Sequence, residues 1–343
     1  METLISSLST QHAYPIVHAS DIAAVRRAGQ KLAFELGFNE TRAGSLALIV
    51  TEAGTNLLKH AGEGMLYLNV AQSEGVPGVD VLAVDCGPGI ADVDACLRDG
   101  MSTAGTSGTG LGALRRLADE FDVWSAPAKG ALFFMRLWRD EAGPGLCMVD
   151  VGALTVPLAG EDACGDGWGV ACDPSGATLL AVDGLGHGPQ AAIAAQAALA
   201  QLQRLPSSEP GPLVDAAHEA LRGTRGAALA AARIDFDNDV VRFAGIGNIG
   251  AWVIDGETRR ALISHNGIVG HNMRKVQEFS LPCPPDALCI LHSDGIQTQW
   301  DLSRYPGLLA RSPALVAAML MRDFIRRRDD AMVLVVRRKP GRA

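Results

Sequence analysis

The sequence predicts an α+β protein of two domains, the first an α/β sandwich, and three observations predict it. At 343 residues the chain is long enough to bury two cores of ordinary size. In its first part, two amphipathic helical patterns precede two strand-like runs, and a loop, a helix and two more strand-like runs follow; helices and a sheet in that order bury their apolar faces on one another. Beyond residue 146, apolar strand-like runs repeatedly abut acidic residues. Hydrophobic residues make up 48% of the chain and charged residues 20%, which is globular and not disordered. The formal net charge of −8 argues against a nucleic-acid surface, and the basic run Arg326-Arg327-Arg328 is short enough to read as a solvated helix end. Seven scattered cysteines form no Cys-x-x-Cys pair, which favours reduced thiols over a disulfide framework or a zinc site. No signal-peptide pattern opens the sequence and no apolar run is long enough to span a bilayer, so a cytoplasmic protein without membrane or nucleic-acid partners is expected.

The first helix is expected to be capped by Ser20, to place Ile22, Val25, Leu32 and Leu36 on one face, and to stop at Gly37. A second, over 41–60, carries Leu46, Ile49, Val50, Ala53 and Leu57 as its apolar stripe, with Glu52, Asn56 and Lys59 at i, i+4 and i+7 beside it. Such a polar stripe is ordinarily solvated, and only its context gives it meaning. The apolar run 79–84 reads as a strand delivering Asp85 to the lip of a cleft, followed by Cys86-Gly87-Pro88-Gly89-Ile90. A second glycine cluster, Gly108-Thr109-Gly110-Leu111-Gly112, runs into a helical pattern through Leu117; loop amides at a helix N-terminus favour a phosphate. Strands are expected near 122–125 and 131–138. Glycine clusters alone are often ordinary turns, and no Gly-x-x-x-x-Gly-Lys-Ser/Thr P-loop occurs.

Three elements in order, Glu52-x-x-x-Asn56-x-x-Lys59-His60, Asp85-x-Gly87-x-Gly89 and Gly108-x-Gly110-x-Gly112, resemble the split nucleotide site of the GHKL ATPases, over residues 15–138. The resemblance implies a GHKL (Bergerat) α/β sandwich that binds ATP with Mg²⁺. Asn56 would offer a neutral oxygen to the Mg²⁺ that bridges the phosphates. Asp85 would accept from the adenine amine, with Gly87 and Gly89 beside it. Gly108, Thr109, Gly110 and Gly112 would cradle phosphate with Lys59, and Ser102, Thr103 and Thr106 would belong to a lid. Glu52 would be the catalytic base of phosphoryl transfer. Without a histidine-bearing dimerisation helix pair, and with Asp99-Gly100-Met101-Ser102-Thr103 and Leu117-Ala118-Asp119-Glu120-Phe121-Asp122, the segment is most similar to RsbT-type stressosome kinases, which phosphorylate Ser or Thr of a STAS-domain protein.

The polar, Gly/Pro-bearing 140–145 reads as a linker, dividing a domain over 1–139 from one over 146–343. In the second, Gly165-Asp166-Gly167 precedes a strand at 168–170; the buried run 178–182 ends in Asp183-Gly184-Leu185-Gly186-His187-Gly188; the run 287–292 ends in Ser293-Asp294-Gly295; and Asp329-Asp330 leads into the last strand at 331–336. One Asp-Gly is usually a turn. Four acidic positions abutting core strands form the hard oxygen set that suits Mg²⁺ or Mn²⁺, and two such ions can activate a bridging water for in-line attack on a phosphoryl group. The runs 189–202 and 314–324 read as helices packed by small or apolar residues.

This order of acids, with Arg225-Gly226-Ala227-Ala228 and Phe243-Ala244-Gly245-Ile246-Gly247-Asn248, resembles the metal-dependent PP2C phosphatases of the SpoIIE type, and among them the RsbX type. It implies a PP2C-like β-sandwich flanked by helices, with Asp166, Asp183, Asp294, Asp329 and the Gly184 carbonyl as metal ligands; Asp329 is preferred to Asp330. His187 departs from the family's pattern, in which histidine directly follows the Asp-Gly. Together the two resemblances imply a bifunctional serine/threonine kinase and phosphatase acting on a STAS-domain switch protein. The alternative is a phosphatase whose ATP-binding half transfers nothing and sequesters a partner such as a sigma factor or its regulator.

Overall fold

The computed structural model describes residues 3–6, 11–73, 75–97, 110–141, 143, 148–273 and 275–339. They fall into two compact units. One comprises 9–145 with 302–318; the other comprises 1–8, 146–301 and 319–343. Residues 3–6 and 302–318 each group with the unit built mainly from the other side of 140–145. The opening strand β1 (Thr3–Ser6) pairs antiparallel with residues 169–172 and so lies in the second unit, covering a sheet edge. Residues 302–318 pack with the first.

The helix–sheet unit opens on β2 (Gln11–Ile16), α1 (Ala19–Glu35) and α2 (Glu40–Asn56). The cap of α1 is His18, not Ser20, because the Asp21 carboxylate accepts from the Val17 and His18 amides and fixes the first turn two residues earlier. Asn39 caps α2 through the Arg42 amide. The second helix does not run regularly to residue 60. After Asn56 it widens into a π-helical turn, Leu57–Ala61, that ends at Gly62 with φ +82°. Then follow β3 (Gly64–Ser73), β4 (Val76–Val84), α3 (Val93–Leu97), α4 (Gly110–Leu117), β5 (Glu120–Ser125) and β6 (Ala131–Trp138). The sheet is ordered β2-β3-β4-β6-β5, all antiparallel. One face of it buries Leu66, Leu68, Val79, Val81, Phe133 and Met135 against the expected stripes of α1 and α2.

The double-sheet unit continues with β7 (Val149–Val156), β8 (Asp166–Asp173), β9 (Gly176–Gly184), α5 (Pro189–Arg204), α6 (Pro210–Ala220), β10 (Ala227–Asp235), β11 (Val240–Ile246), β12 (Gly250–Asp255), β13 (Thr258–Leu262), β14 (Phe279–Pro282) and β15 (Leu288–His292). The helix α7 (Pro313–Phe324) and the last strand β16 (Ala331–Arg338) complete the chain. The sheets are β1-β8-β9-β10-β11-β14 and β13-β12-β15-β16-β7. Alternation along β9 explains the layering. Leu179 and Ala181 join residues such as Val253, Leu291 and Leu334 in the core between the sheets, while Leu180 and Val182 face Ala194, Ala198 and Leu213 of α5 and α6. The alanine run of α5 serves this close approach. No helix among the described residues is long and apolar enough to cross a membrane.

Candidate active sites

In the helix–sheet unit, β4 ends at Val84 and Asp85 stands one residue beyond it, buried. Its amide donates to the Ala131 carbonyl (3.0 Å), and its Oδ1 accepts from the amides of Gly87 (2.8 Å) and Ala131 (3.1 Å). The carboxylate is thus aimed by the backbone of its own loop and of β6. The loop beyond it rests on the β5–β6 hairpin. Ala128 donates to the Pro88 carbonyl, and Ile90 donates to Ser125 Oγ, which itself donates to Gly130. Both loop glycines are steric requirements. A Cβ on Gly87 would lie 2.7 Å from that of Ala61, so this loop packs on the π-helical turn. At Gly89, φ is +75° and a Cβ would lie 2.1 Å from the Ala126 carbonyl oxygen. Gly89→Ala is therefore expected to cost about 2–3 kcal/mol from clash and backbone strain together. Gly62→Ala, at φ +82° in open space, should cost only about 1 kcal/mol. Thermal denaturation of the two variants checks this ordering.

Asn56 is the last α-helical residue before the π turn, a distortion that concentrates at functional sites. Its side-chain nitrogen is buried and has no hydrogen-bond partner among the described residues; rotation of the carboxamide exchanges nitrogen and oxygen there, so the group fits a role as ligand to a bound ion. Glu52 lies one turn earlier on α2, half-buried, and Lys59 is exposed on the π turn, displaced from the regular i+7 stripe. The short helix α4 packs on α2, with Gly112 and Leu114 buried. Gly110 opens α4, while Thr103, Gly108 and Thr109 lie outside the described residues.

In the double-sheet unit, the register sets Asp166 of β8 directly opposite Asp183 of β9. Asp183 and Gly184 are thus the last residues of a strand and not a turn after it. Burial, then the negative charge of Asp183, raises the Asp166 carboxyl well above its ordinary range, against a hydrogen bond from Ser293. Burial, then Asp294, Asp329 and Asp330, pushes Asp183 up to about 7. Asp294 is raised by burial and Asp329, although Asn248 Nδ2 donates to it (2.7 Å). Asp330 is occupied differently. Its two oxygens accept from the amides of Leu158 (2.7 Å) and Gly165 (2.6 Å), so it clamps the loop leading into β8, while Asp329 Oδ1 accepts from the adjacent Asp330 amide.

Mutually repelling acids, with an Asp166 oxygen buried and without a hydrogen-bond partner, are a donor set fitted to cations. Among the described residues, no three His, Cys, Asp or Glu side chains form a ready coordination group, so water and main-chain carbonyls would complete the shell. Glycines clear the space. A Cβ on Gly184 would lie 2.3 Å from the Ala191 carbonyl, and one on Gly295 would lie 2.0 Å from that of Asp330. His187 pairs through Nδ1 with Glu161 (2.6 Å).

Sequence reading missed the buried support under Ser293-Asp294. His292 Nδ1 donates to the Ser293 carbonyl and its Nε2 accepts from Trp300, which fixes a neutral tautomer; burial lowers its affinity for a proton. The Arg259 guanidinium lies 3.6 Å from the ring centres of both Trp252 and Trp300. Only the residue types, scattered over four elements, could have signalled this.

Fold and sites thus define a nucleotide-type helix–sheet module joined to a carboxylate-lined double-sheet module. Residues 18–136 match the family described as histidine kinase-like ATPase domain, and 173–339 match stage II sporulation protein E (SpoIIE). Serine/threonine-protein kinase RsbT of Bacillus subtilis (strain 168) is 33% identical over 123 residues, which is 36% of this chain and 92% of that protein. A solved structure described as the bacterial stressosome, a modular system adapted to control secondary messenger signaling, is 31% identical with a TM-score of 0.52, covering 55% of this chain and 99% of that one. RsbX in complex with magnesium shares the fold at TM-score 0.50 and 17% identity, over 55% of this chain and 94% of that one. The chain belongs to the RsbT kinase family through its N-terminal part, in a fusion of that kinase-like module with a SpoIIE-type PP2C phosphatase domain.

Proposed function

We propose that the chain both phosphorylates and dephosphorylates one small partner, a STAS-domain switch protein, in a partner-switching pathway. For the phosphatase, the observation that carries the reading is the cross-strand pair Asp166–Asp183 facing Asp294 and Asp329. Bound Mg²⁺ or Mn²⁺ would supply an activated water and a clamp on the phosphoryl oxygens. Asp166, Asp183, Asp294, Asp329 and the Gly184 carbonyl hold the ions in this reading. Asp329 is preferred because Asp330 is committed to two backbone amides, where it positions the loop before Asp166.

For the kinase, Asp85 accepts from the adenine amine and Asn56 holds the Mg²⁺ of ATP. Lys59, Gly87, Gly89, Thr103, Gly108, Thr109, Gly110 and Gly112 line the nucleotide, and Glu52 takes the proton of the attacking serine or threonine. The partner's kind is supported by likeness to RsbT and to the stressosome structure. Joining opposed activities raises the local concentration of each around one substrate.

The test follows label from radioactive ATP on a purified STAS-domain protein, with Mg²⁺ or Mn²⁺, for the wild type and Asp183→Asn. Label that accumulates in the variant and turns over in the wild type is the expected result. No label in either, with ATP bound, would reduce the first module to a binding unit.

A further inference from the structure

Two opposed activities on one chain waste ATP unless something selects between them, and the segment 302–318 offers a physical route. Resting on the functional reading above, we propose that nucleotide at the Asp85 loop stabilises 302–318 through the β5–β6 hairpin and thereby sets the rate of the phosphatase site.

The contacts that hold 302–318 lie within the helix–sheet unit; the polypeptide itself carries their effect onward. Residues 122–131 have two sets of partners. Ser125, Ala126, Ala128 and Ala131 hold the 85–90 loop, as described above. Neighbouring side chains hold 302–318. Trp124 Nε1 donates to the Pro306 carbonyl (3.0 Å) and its ring meets Tyr305 edge-on (5.7 Å between centroids), while Lys129 Nζ lies 5.2 Å from the Tyr305 ring centre. Asp122 Oδ2 accepts from the Ser312 amide (2.6 Å) and its Oδ1 from Arg311 (3.4 Å). The Ser312 carbonyl accepts from Leu315 and Val316, so Asp122 sits on the amide end of α7, where a negative charge stabilises a helix.

The far end of α7 is stitched to the phosphatase loop. Gln297 donates to the Phe324 carbonyl (2.8 Å), Arg326 donates to Gly295 (2.7 Å), and Ile296 bridges Ile325. Asp294 and Asp329 flank these links. Within the helix–sheet unit α7 is thus capped at its amide end, and within the double-sheet unit its last residue and the chain just beyond it are bonded to the 295–297 loop. A ligand that binds the folded loop suppresses local opening of whatever shares its support. Coupling between binding equilibria is reciprocal, so whatever factor nucleotide applies to metal affinity, metal applies to nucleotide affinity.

Hydrogen exchange on the full chain tests this, with and without the β,γ-imido analogue of ATP plus Mg²⁺. Exchange in 302–318 is expected to slow by about threefold or more in the wild type. In Trp124→Phe and Asp122→Ala, each of which removes a link without touching either site, the analogue should still protect 85–90 but no longer 302–318. Hydrolysis of an aryl phosphate with Mn²⁺ should change by about threefold on adding the analogue to the wild type, and not in the variants. Protection of 85–90 without 302–318 in the wild type would overturn the proposal and leave the nucleotide site standing. Equal protection of 302–318 in the variants, or an unchanged hydrolysis rate, would overturn it too. Protection of neither segment would remove the nucleotide reading and the proposal with it.

Discussion

Asp183→Asn is expected to lower metal-dependent hydrolysis of a phosphoserine substrate on the order of a thousandfold. The same change should make the metal-free protein more stable above neutral pH. On the proposed reading the first effect follows from removing one charged ligand from a site whose ions would supply several kcal/mol of charge stabilisation, each 1.36 kcal/mol being about tenfold in rate. The second follows from the carboxyl's own surroundings. Burial and the nearby acids push it up to about 7 in the fold, against about 3.9 in an unfolded chain. Between those values the folded state keeps a proton that the unfolded chain has released. The favourable contribution is complete below about pH 4 and is lost as pH rises through about 7. Asparagine has the shape of the protonated acid and no charge to desolvate. The variant should therefore lose less stability over that window, with a thermal midpoint several degrees above wild type near pH 8. Mn²⁺ should raise the wild-type midpoint and move the variant's far less. Melting curves at pH 5 and pH 8, with and without Mn²⁺, check every part. A variant that loses activity but shows the wild-type pH dependence would place Asp183 in catalysis without the charge crowding inferred here.

Much of this was legible in the sequence because strand ends and helix stripes are local. The run 178–182 marked a core strand by its unbroken apolar character, and β9 contains it. Ile22, Val25 and Leu32 marked the buried face of α1 by spacing alone. What the sequence hid is non-local. Nothing in Asp166 or Asp183 announces that a register of antiparallel strands sets them opposite each other. The place of Asp330 depends on amides 165 or more residues away. The widening of α2 into a π turn was hidden differently: Leu57-Leu58-Lys59-His60-Ala61 is an ordinary helical string. The turn's conformation is settled by what it packs on: Leu57 is buried, and Ala61 meets the loop at Gly87. Capture of 302–318 by Trp124 and Asp122 likewise has no mark in the local pattern.

Glu52→Gln is the sharper test of the first module, because it asks for chemistry to disappear while binding stays. Asp85 is fixed by the amides of Gly87 and Ala131, and Asn56 stands one helical turn beyond Glu52, so neither depends on the Glu52 carboxylate for its position. Glutamine keeps the length and half-buried packing of the side chain and removes only its capacity to take a proton. General-base assistance is worth about 10²–10⁴-fold, so in the proposed reaction phosphorylation of a STAS-domain protein should fall by that factor. ATP affinity should stay within about twofold. On the proposed reading Asp85→Asn should do the opposite, weakening nucleotide binding first, because its carboxamide either presents an N–H where the adenine amine needs an acceptor or turns that N–H onto the two backbone amides that Oδ1 now accepts. The pair of variants separates the roles: one loses turnover at saturating ATP, the other loses affinity. If Glu52→Gln left transfer unchanged, the base would have to be another group. If it abolished ATP binding as well, Glu52 would belong to the architecture of the nucleotide site, and the half-buried acid on α2 would owe its place there to packing and not to proton transfer.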